Sequence, residues 1–349
     1  MELCGAEVAC VARYPERMAI LIDPPAWPAH GTLWSHLVSD SDYDELHAFA
    51  ALLGVPRRGF DLDHYDVPAS LHARAVALGA REVTAKDVVF SLRAAGLRVR
   101  GVERDAARPV RRRQYLVAEW DLLGDAVGVA GVPSGASGAS GADPWRELGN
   151  SLIARWNEDH RRYHDERHLE DVLLALNHLG VRGEHIEVET LLAAWFHDAI
   201  YLGAADGADE RDSAGLAVAS LGALDLNPGL TQRVGDLIVA STPGVDVGDA
   251  APPLAHLLDA DLSIFASSPA RYAEYTAAVR EEYAHVSDVD FAAGRSRILS
   301  AYLAQPAIYR TGAASELWEA RARANLELEI HGFGTGNSAS IGATRTRNN

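Results

Sequence analysis

Four side chains in the C-terminal half of the chain have the types and spacing to hold a divalent cation: His168, His197, Asp198 and Asp261. Two imidazoles and two carboxylates make a nitrogen and oxygen donor set that suits one Mn, Fe, Co, Ni or Zn ion, with Mg also accommodated, and selects weakly among them. A cation held this way, with coordination positions open to water, lowers the pKa of that water and polarises a phosphoryl oxygen, which permits hydrolysis at neutral pH.

Each residue also has a plainer reading when taken alone. His168 lies at the edge of the face formed by Val172, Leu176 and Leu179, where a satisfied core histidine is common. His197 and Asp198 close the segment TLLAAWFHDAIY, which is apolar nearly all round, and a loop-capping aspartate beside a core histidine accounts for that dipeptide equally. Burying a carboxylate without a partner costs several kcal/mol, however, and a shared cation removes that cost. Asp261 falls inside the stripe Leu254, Leu258, Leu262 and Phe265, whereas Asp259 is expected to point away. An acid in that stripe serves equally as a cap for a neighbouring helix or as the partner of an arginine. Between the His-Asp pair and Asp261 the only further histidine is His256, off the stripe, so one metal is favoured over two.

The elements that must carry these residues are helices. Apolar stripes at helical spacing run through 168–179, 186–201, 254–265, 272–283, 291–303 and 315–330, with Asn227-Pro228 as a cap and first-turn proline and Pro243, Pro252 and Pro306 at other ends. An all-α domain over 145–331 is expected. Before it, PSGASGASGADP marks a flexible linker within 124–144. Residues 18–123 read as a small α/β domain: AILID is a strand stopped by Pro24 and Pro25, and Thr84 caps the helix AKDVVFSLRAAG. YLVAEWDLL, from Tyr115 to Leu123, fits a strand or a short helix. Residues 1–17 are expected to be an unstructured lead, with Met18 a plausible true start, and 332–349 a disordered tail.

The segment from about Trp145 to Glu329 resembles the metal-dependent phosphohydrolases of the HD superfamily. The resemblance rests on RRYHDERHL (161–169), AAWFHDAIY (193–201), DERDSA (209–214), LLDADLSIF (257–265), VREEY (279–283), FAAGR and QPAIY. It implies an all-α HD-type fold in which His168, His197, Asp198 and Asp261 ligate the metal. Asp209 departs from the asparagine expected before Glu210. On this reading Asp198, His164 and Glu210 are catalytic, while Arg162, His164, Arg211 and Arg295 contact substrate phosphate. A surface ion pair is the competing role for each arginine. His164 and His168 have zinc-pair spacing, but no HExxH glutamate accompanies them. Residues 18 to about 100 resemble an uncharacterised bacterial domain that begins with a strand and a DPPxWxxHG pattern, here Asp23, Pro24, Pro25, Trp27, His30 and Gly31. That region is dense in polar candidates, including Trp34, His36, Asp42, His47 and FDLDHYDVP (60–68), which otherwise serve as turn and cap residues.

A formal charge of −17 argues against a surface that wraps nucleic acid, because phosphate neutralisation needs a basic face. The seven arginines between Arg98 and Arg113 are the local exception; a solvated stretch balancing an acidic chain is the commoner explanation, and the interleaved aromatics of a single-strand binder are missing. Cys4 and Cys10 are the only cysteines, so neither a disulfide framework nor a thiolate site is available, and a cytoplasmic setting fits. No apolar run approaches the roughly 18 residues of a membrane span. The expectation is a phosphohydrolase acting on a small phosphate monoester or nucleotide; the alternatives are a nucleotide-sensing module that binds without turnover and an RNA-associated protein. Oligomeric state is not legible.

Overall fold

The computed structural model describes residues 19–29, 32–129, 143–204, 207–245 and 247–343, with side chains described to residue 333. The chain divides into two compact units, Met1–Arg108 and Pro109–Asn349. The expected lead, His30 and Gly31 of the DPPxWxxHG pattern, most of the Gly/Ser/Ala linker (130–142) and residues 344–349 lie outside the described residues.

The first unit is a small mixed sheet with helices on both faces. Strands β1 (Ile20–Ile22), β2 (Trp27–Ala29) and β3 (Thr32–Ser39) are followed by helix α1 (Tyr43–Leu53), strand β4 (Tyr65–Pro68), helix α2 (Ala69–Ala77), strand β5 (Arg81–Glu82) and helix α3 (Ala85–Ala94). The long β3 pairs antiparallel with β1, β2 and β4, while β1 pairs parallel with β5. Alternation along the strands decides the two faces. Ile20, Ile22 and Leu37 pack with Leu46, Phe49 and Leu53 of α1 and Ala75 of α2. Leu21 and Val38 point the other way, onto Val88 and Leu92 of α3. Thr84 caps α3 as expected, and Asp87 returns the bond to the Thr84 backbone, closing a capping box.

The second unit is built of helices and the loops between them, with no strand among its described residues. Helix α4 (Arg104–Ala126) begins in the first unit, and from Pro109, which removes one hydrogen bond of the helical ladder, it belongs to the second. The expected boundary at residue 123 is therefore corrected: Tyr115, Leu116, Trp120 and Leu123 lie in the core of the helical unit. YLVAEWDLL is helix, because its apolar residues fall on one helical face that a strand would split between two. The arginine-rich stretch is mostly helical too, and it pairs with acids: Arg98 with Asp63, Arg100 with Glu103, Arg104 with Asp61, Arg112 with Glu170 and Arg113 with Glu166.

Helix α5 (Pro144–Arg155) meets α4 through a reciprocal tryptophan pair. The Trp120 and Trp145 rings stack at 4.2 Å, and each indole N–H donates to the other residue's carbonyl at 2.8 Å. Gly124 and Gly149 leave room for those rings, since a Cβ at either position would approach the partner indole to 2.5 or 2.4 Å. Helices α6 (Glu166–Val181), α7 (Val188–Phe196), α8 (Ala208–Ala223), α9 (Pro228–Ala240), α10 (Pro252–Asp261), α11 (Pro269–Glu282), α12 (Asp288–Ala304) and α13 (Gly312–Ala343) complete the unit. The central element is α7, whose Leu192 to Phe196 are all buried. The last helix continues to Ala343, into the stretch expected as tail, and Trp318, Ala322 and Leu326 are buried along its first half.

Candidate metal centre

Asp165 caps α6, its carboxylate accepting from the Arg167 and His168 amides at 2.8 and 3.2 Å, and so fixes His168 in the first turn. His168 is almost wholly buried, packed against the Tyr163 ring at 4.8 Å. His197 ends α7, and its Nδ1 lies 2.8 Å from the Ala194 carbonyl. A carbonyl oxygen only accepts, so Nδ1 carries the proton and Nε2 is left as a lone-pair donor. Asp198 follows at once, and Asp261 is the last residue of α10.

These four residues converge. His168 Nε2 lies 3.2 Å from His197 Nε2, 3.2 Å from Asp261 Oδ1 and 3.8 Å from Asp198 Oδ2. His197 Nε2 lies 3.4 Å from Asp198 Oδ2 and 3.9 Å from Asp261 Oδ1. Ligands about 2.1 Å from one cation stand about 3 to 4.2 Å apart; His168, His197 and Asp198 form a group that could hold one ion, and Asp261 approaches its two imidazoles. Burial by itself pushes the Asp261 carboxyl upward, but His168, His197 and His164 outweigh it and hold Asp261 below the usual carboxylate range.

The stripe through α10 is not the one expected. Asp259, expected to point away, is fully buried and accepts from the Arg310 and Thr311 amides and the Thr311 hydroxyl at 2.7 to 2.8 Å. His256, placed off the stripe, is buried against Glu184. Helix α10 is covered on more than one side, so a single stripe does not describe it.

A second ring of contacts holds the site together, and two of its residues escaped the sequence reading. Arg161 is buried and donates to the carbonyls of His164, Asp198 and Ala199, tying the turn before α6 to the chain after His197. Glu282 accepts from the backbone amides of Arg162, Tyr163 and His164 at 2.8 to 2.9 Å through one oxygen, and through the other from His164 Nδ1 at 2.7 Å. Burial would raise the Glu282 carboxyl, yet His164 and the backbone amides hold it at about 2. The adjoining arginine and the glutamate of VREEY were visible as motif letters; neither spacing nor periodicity marked them as contacts to the site.

The other expected site residues are more dispersed. His164 stacks on Tyr201 at 4.0 Å and lies 5.6 Å from the His168 ring. In DERDSA, Asp209 accepts from the Leu202 and Ala204 amides and Ser213 from the Ile200 amide, pinning the loop after the His-Asp pair. Glu210 has a buried carboxylate oxygen with no hydrogen-bond partner among the described residues; burial, then the charges of Asp198 and Asp209, raise its pKa. Arg162 is half exposed beside Glu281. Arg295 is committed to Glu329 and to the Tyr275 hydroxyl, at 2.8 and 2.7 Å. Arg211 lines a shallow hollow of about 420 Å³ with Asp236 and Thr242, and none of the four converging residues lines that hollow.

In the α/β unit, Asp42 is the cap of α1 and His47 bonds the Tyr65 hydroxyl. Asp23, His36, His64 and Asp66 come together instead, with a histidine ring separation of 5.1 Å. Residues 20–95 match a family described as a protein of unknown function, DUF4031. No curated protein and no solved structure matches the chain.

Proposed function

We propose that the helical unit is a metal-dependent phosphohydrolase of the HD type, acting on a small phosphate monoester or a nucleotide. The observation that carries this reading is the convergence of His168, His197, Asp198 and Asp261 from three separate segments, with the His197 tautomer fixed by the Ala194 carbonyl. When bound, a divalent cation supplies Lewis acidity toward a phosphoryl oxygen and water. The protein's own residues do the rest. His164, positioned by Glu282, can hand a proton to a departing alkoxide. Glu210, with its free oxygen near Asp198, can orient the attacking water. Arg162, half exposed and two residues before His164, can meet a phosphate. Arg295 instead holds Tyr275, whose ring packs edge-on against Tyr163 at 4.5 Å.

The test joins metal content with turnover. Purified full-length protein is assayed by mass spectrometry for metal and screened with Mn, Co or Ni for phosphate release from nucleotides and small phosphate esters. Asp261→Ala should lose both the metal of this site and at least about a hundredfold in turnover. Metal retained in full would remove Asp261 from the ligand set. Metal bound with intact nucleotide recovered after long incubation would move the assignment to a sensing module.

A further inference from the structure

The α/β unit holds a second constellation that the phosphohydrolase reading does not use. His36 on β3 sits opposite Asp66 on β4 in the antiparallel register, and His64 lies in the turn just before β4. Each of these three residues offers a donor atom, and the three atoms lie within 4.8 Å of one another.

What separates this group from an ordinary polar cluster is the layer behind it. His36 Nδ1 bonds the carboxylate of Asp23 at 2.9 Å, and His64 Nδ1 bonds that of Asp63 at 2.7 Å. Both aspartates are essentially fully buried, at 1% and 0% exposure. Each is locked by the backbone as well, Asp23 by the His36 amide at 2.6 Å and Asp63 by the Val99 amide at 2.7 Å. A carboxylate on Nδ1 fixes the imidazole tautomer, turns Nε2 outward as a donor and raises its basicity; this carboxylate–histidine relay is the usual support of a metal-bound histidine. Here it occurs twice, facing one carboxylate.

The site is also open. Asp66 is 49% exposed and can turn toward the rings, and the half-exposed Trp27 indole stands edge-on to His36 at 5.3 Å, an apolar wall beside open coordination positions.

We propose that His36, His64 and Asp66 bind a divalent transition metal, with Asp23 and Asp63 orienting the two imidazoles. Three ligands and an open face are the arrangement of a reactive or ligand-binding centre, whereas closed structural sites use four protein ligands. Two-histidine, one-carboxylate donors suit Zn, Fe, Mn or Co. Asp23 and Trp27 belong to the DPPxW pattern at the start of the matched family region, so the pattern gains a physical role: Asp23 holds a ligand and Trp27 shapes the opening.

The test uses the full-length protein, and it separates this site from the helical one. Metal per chain is measured for wild type, Asp261→Ala, His36→Gln with His64→Gln, and Asp66→Asn. About two metals in wild type, with one lost in the histidine variant and the other in Asp261→Ala, is the expected result. Loss in the histidine variant alone would retain this site and remove the helical one. A histidine variant that keeps the wild-type metal overturns the proposal. Should the histidine variant not fold, Co2+ titration of wild type and Asp66→Asn, followed by visible d–d bands, decides it. Bands of a nitrogen- and oxygen-ligated ion that weaken in Asp66→Asn support the site, and identical spectra overturn it. Asp23→Asn is expected to bind Co2+ about 10- to 100-fold more weakly with its circular dichroism unchanged. Titration of His64 by NMR that is unmoved by added Zn2+ would show a proton, not a metal, joining His64 to Asp66, and would also overturn it.

Discussion

At the scale of single residues, the helical site is an arrangement of partners more than of ligands. Glu282 organises three backbone amides and one imidazole, and this makes a pH prediction possible. Its carboxyl stands at about 2 in the folded protein against 4.5 for an unperturbed glutamate, so it is depressed. The stability it contributes is present above pH 4.5 and is lost as pH falls toward 2. Glu282→Gln is expected to lower stability near neutrality by on the order of 2 kcal/mol and to flatten the acid limb of the urea-midpoint profile; an unchanged acid limb would deny Glu282 this role. Glu210 predicts the reverse balance. A buried carboxylate oxygen without a partner is a cost carried by the fold, so Glu210→Gln should leave the melting temperature unchanged or raise it while reducing phosphate release. A fall of several degrees would instead mark Glu210 as a structural residue. His168, His197, Asp198 and Asp261 were legible in the sequence because polar residues in apolar segments stand out. Arg161 and Glu282 were not, because their partners are backbone atoms on segments distant in sequence, and backbone atoms leave no letter.

At the scale of elements, helical periodicity located α6, α7, α10, α11 and α12 to within about five residues and the start but not the end of α13, and a capping threonine and the Asn227-Pro228 signal located the starts of α3 and α9. Orientation around the axis was less secure. On α10 the burial of Asp259 and His256 shows that an element packed on several sides has no single stripe to find. The α4 and α5 pairing was invisible as a pair, since Trp120, Gly124, Trp145 and Gly149 have meaning only once the two helices touch. Placing a methyl beneath either indole should cost stability. Gly149→Ala is expected to lower the urea unfolding free energy by about 1–3 kcal/mol through overpacking, despite alanine's better helix propensity. A gain in stability would show that the stacked rings yield freely.

At the scale of the whole molecule, charge bears on which partners the chain can meet. The chain carries −17, and six of the seven arginines between Arg98 and Arg113 bond a polar side chain nearby, five of them an acid. A fluorescent single-stranded RNA or DNA oligonucleotide should therefore show no salt-dependent binding beyond the weak nonspecific level of about 10⁻⁴ M; a steep fall in affinity with salt would restore the arginine stretch as a binding surface. No helix among the described residues is long and apolar enough to cross a membrane. On the proposed function, a cation binds the folded donor set in preference to the unfolded chain, so adding Mn or Zn at a hundred times the dissociation constant should stabilise the helical unit by about 2.7 kcal/mol, and chelation should reverse it. An unfolding transition indifferent to chelator would contradict a preformed site.

The sequence by itself determined the classes of the two units, α/β then all-helical, and nominated the four residues that converge in the helical unit, because period, caps and misplaced polar residues are local properties of a chain. Only the tertiary structure decided the rest. It moved the boundary from residue 123 to Arg108, since α4 is one helix whose later face is buried with the second core. It brought Glu282 to His164, and Asp23 and Asp63 behind His36 and His64, across separations in sequence that no spacing rule spans. Whether an imidazole is a core residue or a ligand depends on what stands against its other nitrogen, and that is settled only when distant segments meet.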